Sequence, residues 1–315
     1  MPHNIGFAEG SKCDSGASNQ NTITPRYWGG LGNALFEIAA AVAYSYTLNR
    51  PFVFEHYPAL PNLDNYSVAS LGLDPAEYTA QLKEFSEEEI QNGIPFPETH
   101  IKLTGFYQKY KLFEPFKERV FNVMGIPKIR EDAFAKLAAD IYGSEITISL
   151  HIRRGDYEQL QCYFLLLNQY YYKNALREIV SSLPSSSSRK KLKVICFYEK
   201  KSNAAANEII ERLENDSDPA VSQIEYLRFN DMIDVDLSDV EEMAAMSYCN
   251  HHIIANSTYS WWAAYINPSP TKIVCFPDEY FNHQLYYLSN EGLRVDGWKS
   301  IPAWNPSEKR CACWK

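Results

Sequence analysis

The 315-residue chain has no apolar run long enough to cross a bilayer. Its best stretch, LFEIAAAVAYSYTL (35–48), includes Glu37 and falls short of the roughly 20 apolar residues that a spanning helix needs. The opening residues are polar and rich in Gly, Ser and Asn, without the apolar centre of a signal peptide, so 1–21 is expected to be a flexible arm. These absences predict a soluble, cytoplasmic chain. Positive charge is scarce as well. With 30 Lys and Arg against 39 Asp and Glu, the net charge of −9 argues against nucleic acid or an anionic membrane as the main partner. It leaves open a small anion held by a local basic cluster. Cysteine is sparse and odd in number, which fits a reducing compartment better than a secreted, disulfide-built scaffold. Cys196 and Cys275 fall in apolar runs and read as small core residues. Cys311 and Cys313 have no Cys or His partner at zinc spacing and read as part of an exposed tail. The acidic runs at 86–89 and 231–242 are not spaced for Mg²⁺ or Mn²⁺ either. Solvated helix faces and caps account for them, and no metal site is expected.

What remains is ample for a globular protein. A hydrophobic share of 45% with 22% charged residues supports a sizeable core, and the length suggests two domains of about 150 residues. The 22 tyrosines pair an apolar ring with a polar tip, which suits cores and sugar-binding clefts alike. TITPRYW (22–28) reads as a first strand, with Pro25 near its start or at an edge. After GGLGN (29–33), the spacing of Leu35, Ile38, Ala39, Val42 and Tyr46 predicts an amphipathic helix with Asn33 as its N-cap. RPFVFE (50–55) and HIKLTGFYQ (100–108) are further strand candidates. Helices are expected within 110–140, and residues 56–100 give no readable order.

From residue 146 the alternation is regular. Strands are expected at 146–153, 192–198, 223–229, 251–255 and 271–276, with helices near 168–182, 203–214 and 261–266 and a Ser238/Glu241 capping box between. This pattern predicts an α/β fold with mostly parallel sheets and flanking helices, in two halves joined near 140–146.

Three segments carry chemistry, each a strand end leading into a polar or glycine-rich turn, where open α/β sheets bind ligands. In SLHIRRGDYE (149–158), alternation puts His151 and Arg153 on one face and Arg154 on the other. An internal salt bridge from an arginine to Asp156 or another carboxylate, beside a buried histidine, is one reading. The whole set at one strand end points instead to an anion: arginines suit phosphate, and His151 or Asp156 would take a proton from an acceptor hydroxyl. The Arg-Gly-Asp tripeptide at 154–156 invites an integrin-binding reading, which a strand-terminal, partly buried setting argues against. In IIANSTYSWWAAYI (253–266), Asn256, Ser257 and Thr258 open a helix whose hydroxyls and free amides face one way, an anion site by construction. Trp261 and Trp262 read as core anchors. In GGLGN, Gly30 lets the backbone approach a ligand and Asn33 both caps the helix and reaches the ligand. A diphosphate handled without a metal needs arginines and helix N-termini to hold its charge.

GGLGNALFEIAAA, SLHIRRGDY and MSYCNHHIIANSTYSWWAAYIN resemble, in that order and at similar separations, the signature segments of the α-1,2-fucosyltransferase family, over about residues 26–280. The protein O- and α-1,6-fucosyltransferases share looser versions of the first two. The resemblance implies two Rossmann-like domains of GT-B type: 22–143 on the acceptor side, 144–290 binding GDP-fucose, and a C-terminal tail at 291–315. It implies transfer of L-fucose from GDP-β-L-fucose to the 2-hydroxyl of a β-galactoside glycan, with inversion, without a metal and with no cofactor beyond the donor. Carried over by motif, Arg153 and Arg154 would face the diphosphate, supported by Asn256, Ser257 and Thr258, while Gly30 and Asn33 would line the cleft. His151, Arg154 and Asp156 would be catalytic, with Asp156 as base or as its orienter. Two departures stand out: Ala34 replaces an amide usual in the family, and CFYEKKS (196–202) lacks its F-S-[DN]-D stretch. Another acceptor (a protein hydroxyl or a different glycan position) and a catalytically inactive, lectin-like GDP-sugar binder are the alternatives.

Overall fold

Two parallel sheets organise the chain. In the smaller one, β1 (Ile23–Pro25), β2 (Leu82–Ser86) and β3 (His100–Thr104) lie in the order β1-β3-β2. The larger contains β4 (Ile146–Ile152), β5 (Leu192–Tyr198), β6 (Glu225–Arg228), β7 (His251–Ile253), β8 (Val274–Pro277) and β9 (Lys299–Ile301). Its order is β6-β5-β4-β7-β8-β9, parallel throughout. The α-helices of the N-terminal half are α1 (Leu31–Leu48), α2 (Pro75–Gln81), α3 (Glu87–Gln91), α4 (Tyr110–Phe113), α5 (Lys117–Met124) and α6 (Ile126–Lys136). Those that follow are α7 (Gln169–Ser182), α8 (Asn203–Glu214), α9 (Pro219–Ser222), α10 (Phe229–Met232), α11 (Asp239–Met246) and α12 (Thr258–Ile266). This computed structural model describes residues 21–92, 100–137, 145–184, 192–282, 284–285 and 288–307. Cys311, Cys313, nearly all of the expected arm and the expected boundary at 143–144 lie outside the described residues.

The α/β architecture with parallel sheets and flanking helices is the one the alternation predicts, and its two-sheet form is of GT-B type. The larger sheet is covered on both faces. One face carries Leu150, Ile152, Tyr171, Tyr172, Leu176 and Cys196, and the other carries Ile195, Phe197 and Phe276. The Ser238/Glu241 cap forms as expected, Glu241 accepting from the Ser238 N–H at 2.9 Å.

Four local expectations differ from the structure. The segment 50–55 is no strand: only Phe52 bridges to Ile23, and Pro51 has no N–H to continue a ladder. β2 escapes a reading by pattern because Lys83 and Glu84 are exposed on an edge strand, without apolar alternation. β9 lies within the expected tail and pairs with β8, too short and polar to signal itself. α1 begins at Leu31 with Gly30 as N-cap, which puts Asn33 inside the first turn.

α1 is apolar nearly all round and is accordingly buried from Leu31 to Ser45 apart from Asn33. Its partner is α12. A Cβ on Gly32 would stand 2.5 Å from the Tyr259 nitrogen, so only glycine lets the two N-termini meet. Trp262 Nε1 donates to the Gly32 carbonyl at 3.0 Å, and Phe36 packs against Trp261 and Trp262 at ring distances of 4.7 and 5.0 Å. The two tryptophans are core anchors, as expected. One core therefore runs from Ile23 and Leu103 of the smaller sheet through α1 and α12 to Phe197 and Phe276 of the larger. Cys196, Cys249 and Cys275 are free and buried, whereas Cys162 is disulfide-bonded.

Candidate functional site

Because Gly32 brings α1 and α12 together, the segments leaving the strands converge. The Asn33 Oδ1 accepts from the Thr258 hydroxyl at 2.8 Å and from the Gln108 amide at 3.1 Å, tying α1, α12 and the segment after β3 to one atom. Beside this junction a cavity of about 740 Å³ opens at the carboxyl ends of both sheets, with Asn33, Asn256, Thr258, Tyr157, Gln108 and Arg294 in its wall. That is where parallel α/β sheets bind ligands.

Asn256 is buried, and its amide N–H groups donate to the carbonyls of Leu165 and Tyr280, both at 2.9 Å. Two carbonyl acceptors fix the amide orientation, so Oδ1 is the atom left buried without a partner. Ser257 is the buried N-cap of α12, and its side chain makes no cap bond. Gly30 is exposed, and a Cβ there would meet nothing within 4 Å. The close backbone approach within this segment is that of Gly32 to α12.

The paired arginines part company. Arg153 binds the carboxylates of Asp156 and Glu199 and lies 5.0 Å over the Tyr157 ring. Gly155, at φ +54°, lets Glu199 this close, since a Cβ would stand 2.6 Å from Glu199 Oε2. The salt-bridge reading thus describes Arg153. Arg154 points elsewhere: its Nη2 donates to the Leu167 carbonyl at 3.2 Å, and its Nε is buried without a partner. It has no carboxylate in ion-pair reach among the described residues. Asp156 is exposed to 54% and held by Arg153, the position of a carboxylate that orients a neighbour. His151 is buried 5.7 Å from the Tyr259 ring, with Nδ1 unpartnered. Burial first, then the charge of Arg153, pushes its pKa down to about 3, so the ring is neutral at physiological pH.

Of the sequence-derived residues, Asn33, Asn256 and Thr258 line the cavity. Gly30, His151, Arg153, Arg154, Asp156 and Ser257 are not among its lining residues; the link to them is Tyr157, which lines the cavity, lies under the Arg153 guanidinium and donates from its hydroxyl to the Asn256 carbonyl at 3.1 Å. Sequence reasoning missed Gln108, Lys109, Lys111 and Arg294. Lys109 is paired with Glu87 at 2.5 Å. Arg294, from the expected tail, donates only to the Asp278 carbonyl (3.2 Å) and to Asn290 Oδ1 (3.4 Å). No motif surrounds it; a lone arginine beyond a strand was its only signal. Of the buried polar side-chain atoms without partners, Asn256 Oδ1 and the Tyr280 hydroxyl belong to residues of the cavity wall, while His151 Nδ1, Arg153 Nε and Arg154 Nε lie at the end of β4 and the Tyr78 hydroxyl in α2. Such atoms are rare in folded proteins, and two of them in one cavity wall mark a place built to meet something polar. Among the described residues no group of His, Cys, Asp and Glu is arranged to hold a metal, and no helix is long and apolar enough to cross a membrane.

Paired parallel sheets with a cavity at their carboxyl ends define an α/β ligand-binding protein, and the sequence match makes it a glycosyltransferase. The chain belongs to glycosyl transferase family 11, whose sequence model matches residues 81–291, more than half its length. It is 24% identical to an α-1,2-colitosyltransferase of Escherichia coli over 296 residues, 83% of this chain and 93% of that protein. With the O-antigen biosynthesis glycosyltransferase WbnK of Escherichia coli it shares 31% identity over 161 residues, 49% of this chain and 44% of that one. Among solved structures, a mutant of Arabidopsis thaliana FUT1 in complex with GDP matches 84% of this chain and 71% of its own, at 11% identity and a TM-score of 0.45. The fucosyltransferase NodZ from Bradyrhizobium matches 80% of this chain and 95% of its own, at 14% identity and a TM-score of 0.46. Likeness at that level carries no argument about the site.

Proposed function

We propose that the chain transfers L-fucose from GDP-β-L-fucose to the 2-hydroxyl of a β-galactoside, with inversion and without a metal. The observation that carries this reading is Arg154: a guanidinium just after β4, with a buried unpartnered Nε and no carboxylate in ion-pair reach among the described residues. Together with Arg294 in the cavity wall, it offers a diphosphate the cationic donors that metal ions supply elsewhere. In the reaction, the bond from fucose C1 to the β-phosphate oxygen breaks and the diphosphate leaves with the electron pair. The galactose O2 attacks C1 from the opposite face, and its proton passes to a base or to water.

Asp156, bound to Arg153, suits orientation of that arginine better than proton abstraction, and a histidine with a pKa near 3 is a weak base. An oxocarbenium-like centre needs little base assistance when the leaving group is well stabilised, which moves the catalytic weight to Arg154. A colitosyl donor is the second reading, favoured by the relative matched over nearly its whole length. The test is calorimetric titration of GDP and GDP-fucose, with and without EDTA, followed by linkage analysis of products from lactose and from GDP-colitose. Micromolar GDP binding that survives EDTA and weakens about tenfold or more in Arg154→Ala, at unchanged melting temperature, is the expected result. GDP binding only with added metal, or none, overturns the reading. Binding without turnover on any acceptor leaves the inactive GDP-sugar binder.

A further inference from the structure

Trp28 and Phe106 are large aromatic residues that the fold holds out of the core. They follow β1 and β3, so both stand at the carboxyl end of the smaller sheet. Phe106 is exposed to 46% and Trp28 to 38%; their rings meet edge to face at 5.9 Å, and the Arg26 guanidinium lies 4.8 Å over Trp28. The backbone is committed to this presentation. Phe106 sits between Gly105 at φ +141° and Tyr107 at φ +48°, a left-handed conformation that a bulky residue adopts only under constraint. The constraint is visible: the buried Tyr107 hydroxyl donates to the carbonyls of Phe85 and Thr104, both at 3.4 Å, while Gln108 is held by Asn33. The turn drives Tyr107 inward and Phe106 outward. On the other side, the Trp28 N–H donates to both carboxyl oxygens of the buried Glu37, at 3.0 and 3.2 Å. Strained backbone that persists at a ligand cleft is a marker of function.

We propose that Phe106 forms the acceptor platform, stacking on the C–H face of a pyranose ring of the galactoside, with Trp28 standing edge-on as the wall beside it. This rests on the transferase reading above. Phe106 lines the cavity as well as the outer surface, so a sugar on the platform is continuous with the site where transfer would occur. A pyranose has one face of C–H groups and a rim of hydroxyls. The Phe106 ring matches the face, Trp28 bounds it, and the half-exposed Arg26–Glu84 pair, 3.4 Å apart, offers a donor and an acceptor to the rim. Two rings flanked by charges make a patch too small for a protein interface, which needs a broad buried centre.

Saturation-transfer NMR with lactose on the GDP-bound chain tests the platform without needing turnover. The wild type is expected to saturate the galactose ring protons. Phe106→Ala should weaken lactose binding about tenfold or more while GDP titrates as before, and Phe106→Tyr should restore it. Phe106→Leu, which keeps the volume, guards against an unfolded alanine variant and should bind lactose as poorly. Lactose binding unchanged in both the alanine and leucine variants overturns the proposal, as does a wild type that gives no saturation. A chain that binds lactose through Phe106 yet transfers no sugar refutes the transferase reading and spares the platform. Transfer whose acceptor KM ignores Phe106 does the reverse.

Discussion

Glu37 is a carboxyl inside a helix that is otherwise apolar. Burial raises its pKa to about 8, opposed by the Trp28 N–H that it accepts. The folded chain therefore holds a proton that the unfolded chain releases near the ordinary carboxylate value of about 4.3. Its contribution to stability is fully present below that value and is lost as pH rises through 8. Glu37→Gln keeps an acceptor for Trp28 and removes the ionisation. Its melting temperature should exceed that of the wild type at pH 9, with the difference closing at pH 5; an equal difference at both pH values would refute the assignment. Residues also show what the sequence could say about the site. Asn33, Asn256 and Thr258 were legible because each opens or precedes a helix after a strand, which is a local pattern. The division of labour between Arg153 and Arg154 was not legible. It is decided by Glu199, at the end of a neighbouring strand, and no spacing rule connects the two positions. Gln108 and Arg294 were hidden for the same reason: each matters through what the fold brings to it.

At the scale of elements, the meeting of α1 with α12 sets the geometry of the cavity. Gly32→Ala forces a methyl group into the backbone of Thr258 and Tyr259 and should destabilise the chain by about 1–3 kcal/mol, the usual range for overpacking. Gly30→Ala, with nothing within 4 Å of its Cβ, should lose no more than about 1 kcal/mol through the weaker N-cap. Urea denaturation of both variants checks the pair, and equal losses would mean that the close approach is not what Gly32 provides. The elements that sequence reasoning found are those with a strong pattern, such as β4 and β5, whose apolar runs are buried on both faces. β2 and β9 went unseen because edge strands with exposed polar residues look like loops until a neighbour pairs with them.

The whole molecule has a core that does not respect its halves. Residues from both sheets share one apolar cluster through α1 and α12, so heat should unfold the chain in a single calorimetric transition, raised by bound GDP. Two resolved transitions would contradict a shared core. Acid should weaken the whole fold. Burial lowers the pKa of His151 to about 3 and of His251 to about 4, and holds His252 well below its usual value. The unfolded chain binds these protons below about 6.5 while the folded chain does not, so stability falls as pH drops from there toward the folded values. The raised carboxyls Glu37 and Glu242 offset this near neutrality, so the midpoint of urea unfolding should decline between about pH 6 and pH 4.5, and a midpoint that holds level or rises over that range would count against three neutral buried rings. The seam between the halves also limits how such a chain can diversify. Exchanging one half for that of a distant relative would part Gly32 from Trp262 and Phe36 from its two indoles, leaving a ragged apolar edge. The halves are not interchangeable modules, and new acceptor preferences are open to this architecture mainly through short segments such as 26–30 and 105–111, which can vary while the seam stays as it is.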